Sequence, residues 1–328
     1  MAKRYDVLSV GVAAVDDMLY VSDYPRPNVK TPLTAVERHG GGPACTAVAA
    51  VGTLQGRSAY IARFGDDELS TYIKSGLLRR GVDTAHIIHD ADSAPYHSFI
   101  VVDRVGSRNV FFDASMFKPI AGEDIPESLI QSAEIVLLDH VADPALIQVA
   151  EKVRNLHVPI LGDIEGQTED ALRMANLADY LIVPEEFACW ASSTTNPREA
   201  CAGLSRTGRL ATVVTSGAEG CYYSLGSDAT ITHVPAFPVQ AFDTNGCGDT
   251  FHGAFALGIA RGFSPWEAIT FASAAAAIKA SAAGGRQRGW DALPTLEDIL
   301  RFLGSLQRGS VPAELLKKIA DLQLVATS

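Results

Sequence analysis

Short aliphatic and β-branched runs alternate with amphipathic or Ala-rich segments along most of this 328-residue chain, and that alternation leaves few folds open. Residues 6–12, 58–64, 135–139, 159–163, 180–183 and 212–215 read as strands of a parallel sheet buried on both faces. Residues 44–54, 68–80, 144–156, 169–175 and 197–207 lie between them and read as crossover helices. The pattern predicts a layered α/β fold. From residue 249 onward the chain turns helical, with helices expected over 249–261, 265–283 and 295–306. A tail at 309–328 carries SVPAELLKKIADL, one more helix with a serine cap and an early proline. The main domain is thus expected to span 1–308, with 309–328 as a helical extension.

Two stretches break the alternation. Residues 18–39 and 96–114 have strand character with no helix between strands, and the second reads as a hairpin turning at 104–107. Together they are expected to form a small β-sheet lid over the main domain; the plainer alternative is decoration of the main sheet. An exposed lid edge would favour a homodimer through the lid.

Charge narrows the partners. Lys and Arg total 27 against 38 Asp and Glu, a net charge of −11, and no basic stripe offsets it, which argues against nucleic acid. A locally positive pocket for a nucleotide stays open. The five cysteines, Cys45, Cys189, Cys201, Cys221 and Cys247, include no CxxC pair, so neither a zinc site nor a disulfide framework is indicated. Reduced thiols fit a cytoplasmic protein. The apolar helix near 266–283 contains Glu267 and Lys279 and reads as buried, with no membrane span expected.

The segment carrying most chemistry is Asp243-Thr-Asn-Gly-Cys-Gly-Asp249, followed by the small-residue run TFHGAF. A Gly-rich turn feeding a helix N-terminus offers free backbone N–H groups and the positive end of the helix dipole, which suits an anion. An aspartate there would repel that anion unless it takes a proton from an attacking hydroxyl while the amides hold the transferring group. The alternative is Asp249 as a simple helix N-cap; the pairing of Asp243 and Asp249 around the turn weighs against it. A second segment, Gly40-Gly-Gly-Pro-Ala-Cys45, permits close backbone approach before a helix opened by Pro43. No GxxxxGK[ST] loop occurs, and SVGVAA after the first strand does not supply a GxGxxG turn.

These two segments, with Ile61-Ala-Arg-Phe-Gly-Asp-Asp67 after the second, resemble the two signature regions of the ribokinase-like PfkB sugar kinases, in the same order and at similar separation. The resemblance covers about 6–303. It implies a ribokinase-like, Rossmann-type three-layer α/β/α domain with a small β-sheet lid, ATP with Mg²⁺, often a monovalent cation such as K⁺ near the nucleotide, and transfer of the γ-phosphoryl group to a primary sugar hydroxyl. Carried onto this sequence, it makes Asp249 the base and Gly246, Cys247 and Gly248 the anion hole. Asp16, Gly41 and Gly42 would hold the sugar; Thr215, Gly217, Gly220 and Asp243 would line the nucleotide.

The family's Asn-x-x-Glu magnesium motif reads Glu185-Glu-Phe-Ala188, leaving Glu185 as the metal candidate, and the asparagine of GGxxxN is Cys45. The GGGPA turn, the altered metal motif and Gly284-Gly-Arg286 resemble the 6-deoxy-6-sulfofructose kinases within the family, whereas 139–141 lacks the arginine expected there. An anionic sugar would then need Arg104 or Arg108 of the lid hairpin, since a guanidinium grips sulfonate with two hydrogen bonds. Arg63 and Arg286 are lesser anion candidates, and His97, His140 and His252 lesser substrate contacts. Other kinases of the family (ribokinase, fructokinase, nucleoside kinase) and a non-catalytic nucleotide or sugar sensor are the competing readings.

Overall fold

The computed structural model describes residues 3–140, 144–226, 230–281, 288–306 and 311–325. Its strands in chain order are β1 (Tyr5–Val10), β2 (Ala14–Tyr20), β3 (Ala35–Gly41), β4 (Ser58–Ile61), β5 (Arg63–Phe64), β6 (Ile88–His89), β7 (Tyr96–Val102), β8 (Arg108–Asp113), β9 (Ala133–His140), β10 (Ile160–Ile164), β11 (Tyr180–Pro184), β12 (Ala211–Thr215), β13 (Cys221–Ser224) and β14 (Thr232–Val234). The helices are α1 (Pro43–Thr53), α2 (Glu68–Leu78), α3 (Glu127–Gln131), α4 (Ala145–Asn155), α5 (Glu169–Leu177), α6 (Glu185–Ala191), α7 (Pro197–Leu204), α8 (Cys247–Ala260), α9 (Pro265–Ala280), α10 (Leu296–Ser305) and α11 (Ala313–Val325).

Among the described residues, eight strands form the main sheet in the order β14-β13-β12-β11-β10-β9-β1-β4. From β4 to β12 all neighbours are parallel, while β13 and β14 are antiparallel additions that sequence reasoning did not foresee. Side chains of each parallel strand alternate between two cores. Val7, Ile135, Leu137, Leu161, Ile182 and Val213 pack beneath α1, α8 and α9. Leu8, Val136, Leu138, Ile160, Leu181 and Val214 pack against α3 to α7. Both sheet faces are covered, as the continuous apolar runs require. The fold is the ribokinase-like three-layer α/β/α arrangement with a small additional sheet.

Local signals set the helix starts. Asp67 caps α2 by accepting from the Ser70 N–H, and Ser264 with Glu267 forms a capping box on α9 just before Pro265. Helix α8 differs: its N-cap is Gly246 in the left-handed region (φ 74°), so Asp249 lies inside the first turn and is not the cap. Helices α1 and α8 touch backbone to backbone, because any side chain at Gly253 would overlap the Ala47 carbonyl.

The second sheet runs β3-β2-β7-β8. It begins at Ala14, four residues earlier than residue 18, because β2 follows β1 almost directly and the Asp16-Asp17 pair masks its strand pattern. Residues 21–34, rich in proline, connect β2 to β3 without strand structure. The β7–β8 hairpin is antiparallel, with Phe99 opposite Phe111.

Candidate active site

Between β1 and β9 the order of the main sheet reverses: the chain passes from β1 to β4 on one side and builds β9 to β12 on the other. Ligands of open α/β sheets settle at such a switch point, beyond the carboxyl ends of the strands. Here that corner is tied by Asp139 at the end of β9. Its buried carboxylate accepts from the backbone N–H groups of Val12 (2.8 Å) and Ala44 (3.0 Å), joining the exit of β1 to the start of α1. Desolvation pushes this carboxyl up to about 7 despite those bonds.

A cavity of about 480 Å³ opens above this corner. Its floor carries Val12, Gly42, Thr46, Gly246, Gly248 and Asp249; its roof is the second sheet. The period-two alternation of strands decides which roof residues reach it. Asp16 comes from β2, Ser98 and Ile100 from β7, and Arg108, Val110 and Phe112 from β8.

The glycine triplet has a separate cause at each position. Gly40 lies flat against the Trp290 ring, and a side chain at Gly41 would overlap the Asp16 carboxylate. Gly42 needs its left-handed φ of 87° to turn the chain from β3 into α1. Asp16 is 7% exposed. Burial raises its pKa, opposed by hydrogen bonds from Ser98 and Asn245 and by nearby His39.

Asp249 lines the opposite wall. Burial first, then the negative field of Asp163, holds its carboxyl well above the usual carboxylate range, with Glu165 and Asp139 adding and His252 opposing. The turn before it is anchored at the end of α9. The N–H groups of Phe242 and Asp243 donate to the Ala280 carbonyl, and Asp243 pairs with Lys279 at 3.3 Å while accepting the Asn245 N–H. Gly246 and Gly248 therefore bring the N-terminus of α8 to the cavity, whereas Cys247, expected to complete the anion hole, lies outside the lining and donates its N–H to the Thr244 carbonyl at 3.3 Å.

Of the residues singled out from sequence, Asp16, Gly41, Gly42, Arg108, Gly246, Gly248 and Asp249 share this cavity. Cys247 turns its thiol toward the Asp243 carbonyl at 3.8 Å, and burial raises its pKa to about 11, so its side chain is no nucleophile. Thr215, Gly217 and Gly220 sit at the end of β12, outside the cavity lining; Gly220 (φ 95°) fits tightly under the Val234 carbonyl. Glu185 opens α6 at the end of β11, also outside the lining, and Ala188 behind it is wholly buried.

Arg104 does not reach the cavity: it is exposed at the hairpin turn, 3.4 Å from Asp23. Arg63 is spent on Asp124 at 2.7 Å, and His97 faces Asp17 at 2.7 Å on the far side of the second sheet. Cys45 is fully buried in α1. Val141 and the Gly284-Gly-Arg286 stretch fall outside the described residues. Sequence reasoning missed Ser98, Glu165, Asn245, Lys279 and Trp290 on the cavity wall. Only Asn245 carried a signal, as part of the quoted turn; the others reach the wall through tertiary packing.

An acid in the first turn of a helix whose N-terminus meets a cavity, with a second, buried acid across that cavity, is an arrangement suited to moving an anionic group onto a hydroxyl. Residues 5–292 match the pfkB family carbohydrate kinases, and the chain belongs to that family. It is 26% identical to fructokinase-2 of Oryza sativa subsp. japonica, over 83% of this chain and 87% of that protein. It is 23% identical to ribokinase of Staphylococcus aureus, over 89% and 98% respectively. The structure of Arabidopsis thaliana ribokinase complexed with ribose and ATP superposes with a TM-score of 0.79 at 22% identity, covering 94% of this chain and all of that one.

Proposed function

We propose that the chain transfers the γ-phosphoryl group of ATP to a primary hydroxyl of a ketose or pentose bound between Asp16 and Asp249. The observation that carries this is the shared cavity, which sets a buried carboxylate on the roof against one beside the α8 N-terminus. Asp16 would accept sugar hydroxyls, since a carboxylate takes two and donates none. Asp249 would take the proton of the attacking hydroxyl, and the Gly246 and Gly248 amides would hold charge developing on the phosphoryl oxygens. The turn at Thr215, Gly217 and Gly220 would line the nucleotide beside Asp243.

Magnesium enters such reactions with the nucleotide and asks the protein for one or two carboxylates, not a closed cage. Among the described residues no group of three His, Cys, Asp or Glu is placed to hold a metal by itself. Glu185, half-buried at the end of β11, fits the lesser demand and would help hold the ion, which would supply positive charge to offset that of the nucleotide's phosphates. A dependence on K⁺ is read by assaying in potassium against sodium salts.

Asp249→Asn tests the core of this reading. Turnover should fall by roughly 10²–10⁴-fold with ATP binding retained; turnover within a few-fold of the parent would remove Asp249 from the mechanism. The names of the relatives favour an uncharged acceptor such as fructose or ribose. A 6-deoxy-6-sulfofructose acceptor is the second reading, favoured by the Arg108 guanidinium, which lines the cavity and makes no ion pair among the described residues. Arg108→Ala should selectively weaken use of a sulfonated ketose; equal effects on the sulfonated sugar and its neutral parent would leave the neutral acceptor.

A further inference from the structure

Behind the α8 N-terminus, on the side away from the cavity lining, lies a pair of groups with no role so far. His252 is 4% exposed and Asp163, at the end of β10, is 2% exposed. Both imidazole nitrogens meet oxygen. Nδ1 is 2.7 Å from the Gly248 carbonyl, and Nε2 is 3.1 Å from the Ile182 carbonyl and 3.3 Å from Asp163 Oδ1. A carbonyl oxygen only accepts, so a neutral ring of either tautomer would aim one lone pair at another. Asp163 in turn has neither carboxylate oxygen in a hydrogen bond of ordinary geometry. Burial, with the fields of Glu165 and Asp139, pushes the Asp163 carboxyl well above the usual carboxylate range, and an imidazolium 3.3 Å away is the charge that would favour its ionised form.

We propose that His252 is a positioning residue held as an imidazolium, paired with Asp163, which fixes the first turn of α8 and supplies positive charge behind Asp249. Its ring donates to Gly248, whose own amide belongs to the anion hole, and to Ile182 of β11, so it ties the phosphoryl-binding turn to the sheet. It also stands one helical turn from Asp249, close enough for its charge to matter. The other ionisable groups acting on Asp249 are Asp163 from β10, Asp139 from β9 and Glu165 beyond β10, with Cys45 of α1 close by and Lys279 of α9 beside Asp243. The acids among them oppose ionisation of Asp249, and the lysine is committed to Asp243. His252 therefore keeps the base ionised at a lower pH than its surroundings would otherwise allow.

This rests on Asp249 as the base, but its first test does not. Nitrogen-15 NMR of histidine-labelled protein should show one imidazole protonated at both nitrogens at pH 8, and the signal should vanish in His252→Asn. A neutral His252 ring there overturns the inference whatever Asp249 does. The second test is the pH dependence of kcat/KM. In His252→Asn the acid limb should move up by about 1–2 pH units, with activity recovering toward the parent at high pH. In Asp163→Asn the doubly protonated signal at pH 8 should be lost. A uniform loss of kcat with an unmoved acid limb would make His252 merely structural and overturn the proposal. Full activity in Asp249→Asn, with a doubly protonated ring, would instead fault the assignment of the base.

Discussion

Gly41 shows how one missing Cβ can carry a binding site. A methyl group there would have to displace the Asp16 carboxylate, which is fixed by Ser98 and Asn245. Gly41→Ala is therefore expected to raise KM for the sugar by about tenfold or more while leaving ATP affinity and thermal stability nearly unchanged, since one misplaced buried hydrogen-bonding group costs about 1–3 kcal/mol. An unchanged sugar KM would separate Asp16 from substrate binding. Asp139 makes a prediction about stability. Its pKa is about 7 when folded and near 3.8 when unfolded, so below about pH 3.8 both states hold the proton and its contribution is fully present. As pH rises toward 7 the unfolded chain releases the proton and the folded one keeps it, so stability is lost across that window and levels off above it. Asp139→Asn, whose amide oxygen can accept from Val12 and Ala44, should abolish this decline. Its melting temperature relative to the parent should climb between pH 4 and 7, on the order of 2–4 kcal/mol in stability. A difference flat with pH would refute this. The residues legible in sequence were those whose type is odd for their neighbourhood, such as an acid inside an anion-binding turn. Asp139 and Asp163 looked like ordinary strand-end acids, and only the convergence of three strand ends shows that they are buried together.

At the level of elements, the parallel strands and their crossover helices could be read because burial on both faces leaves an unbroken apolar signature. β13 and β14 could not, since CYYS and THV are short, half-exposed and close to turns. Nor could α6, which follows β11 with no residue between them and spans seven residues. The small sheet was visible as two helix-free stretches, but its first strand was not, because Asp16 and Asp17 point to opposite faces, one to the cavity and one to Arg38. Helices α1 and α8 are the elements most sensitive to change. Gly253→Leu should force them apart and destabilise the fold by about 1–3 kcal/mol, as overpacking of a close contact does. Thermal or urea denaturation would read this, and a variant as stable as the parent would show that the contact yields.

For the whole molecule, the outer face of the second sheet is the feature left uncovered. Val36, Phe99 and Phe111 stand exposed there, and every residue of edge strand β8 is exposed. A row of unpaired backbone groups beside exposed aromatic rings favours pairing with another copy. Light scattering across a concentration series should show a dimer for the parent chain and a monomer for Phe111→Lys. A monomeric parent would end that reading. None of the described helices is long and apolar enough to cross a membrane.

The backbone contact between Gly253 and Ala47 has one more consequence. Helices α1 and α8 are capped by Gly42 and Gly246, at the two places where the cavity would meet sugar and phosphoryl group, and their bodies are already packed too closely to approach further. The two ends of the site are therefore spaced like the jaws of a fixed gauge. With a sugar bound between Asp16 and Asp249 as proposed, an acceptor would be sorted by its length, from the hydroxyls held near Asp16 to the carbon bearing the reactive oxygen.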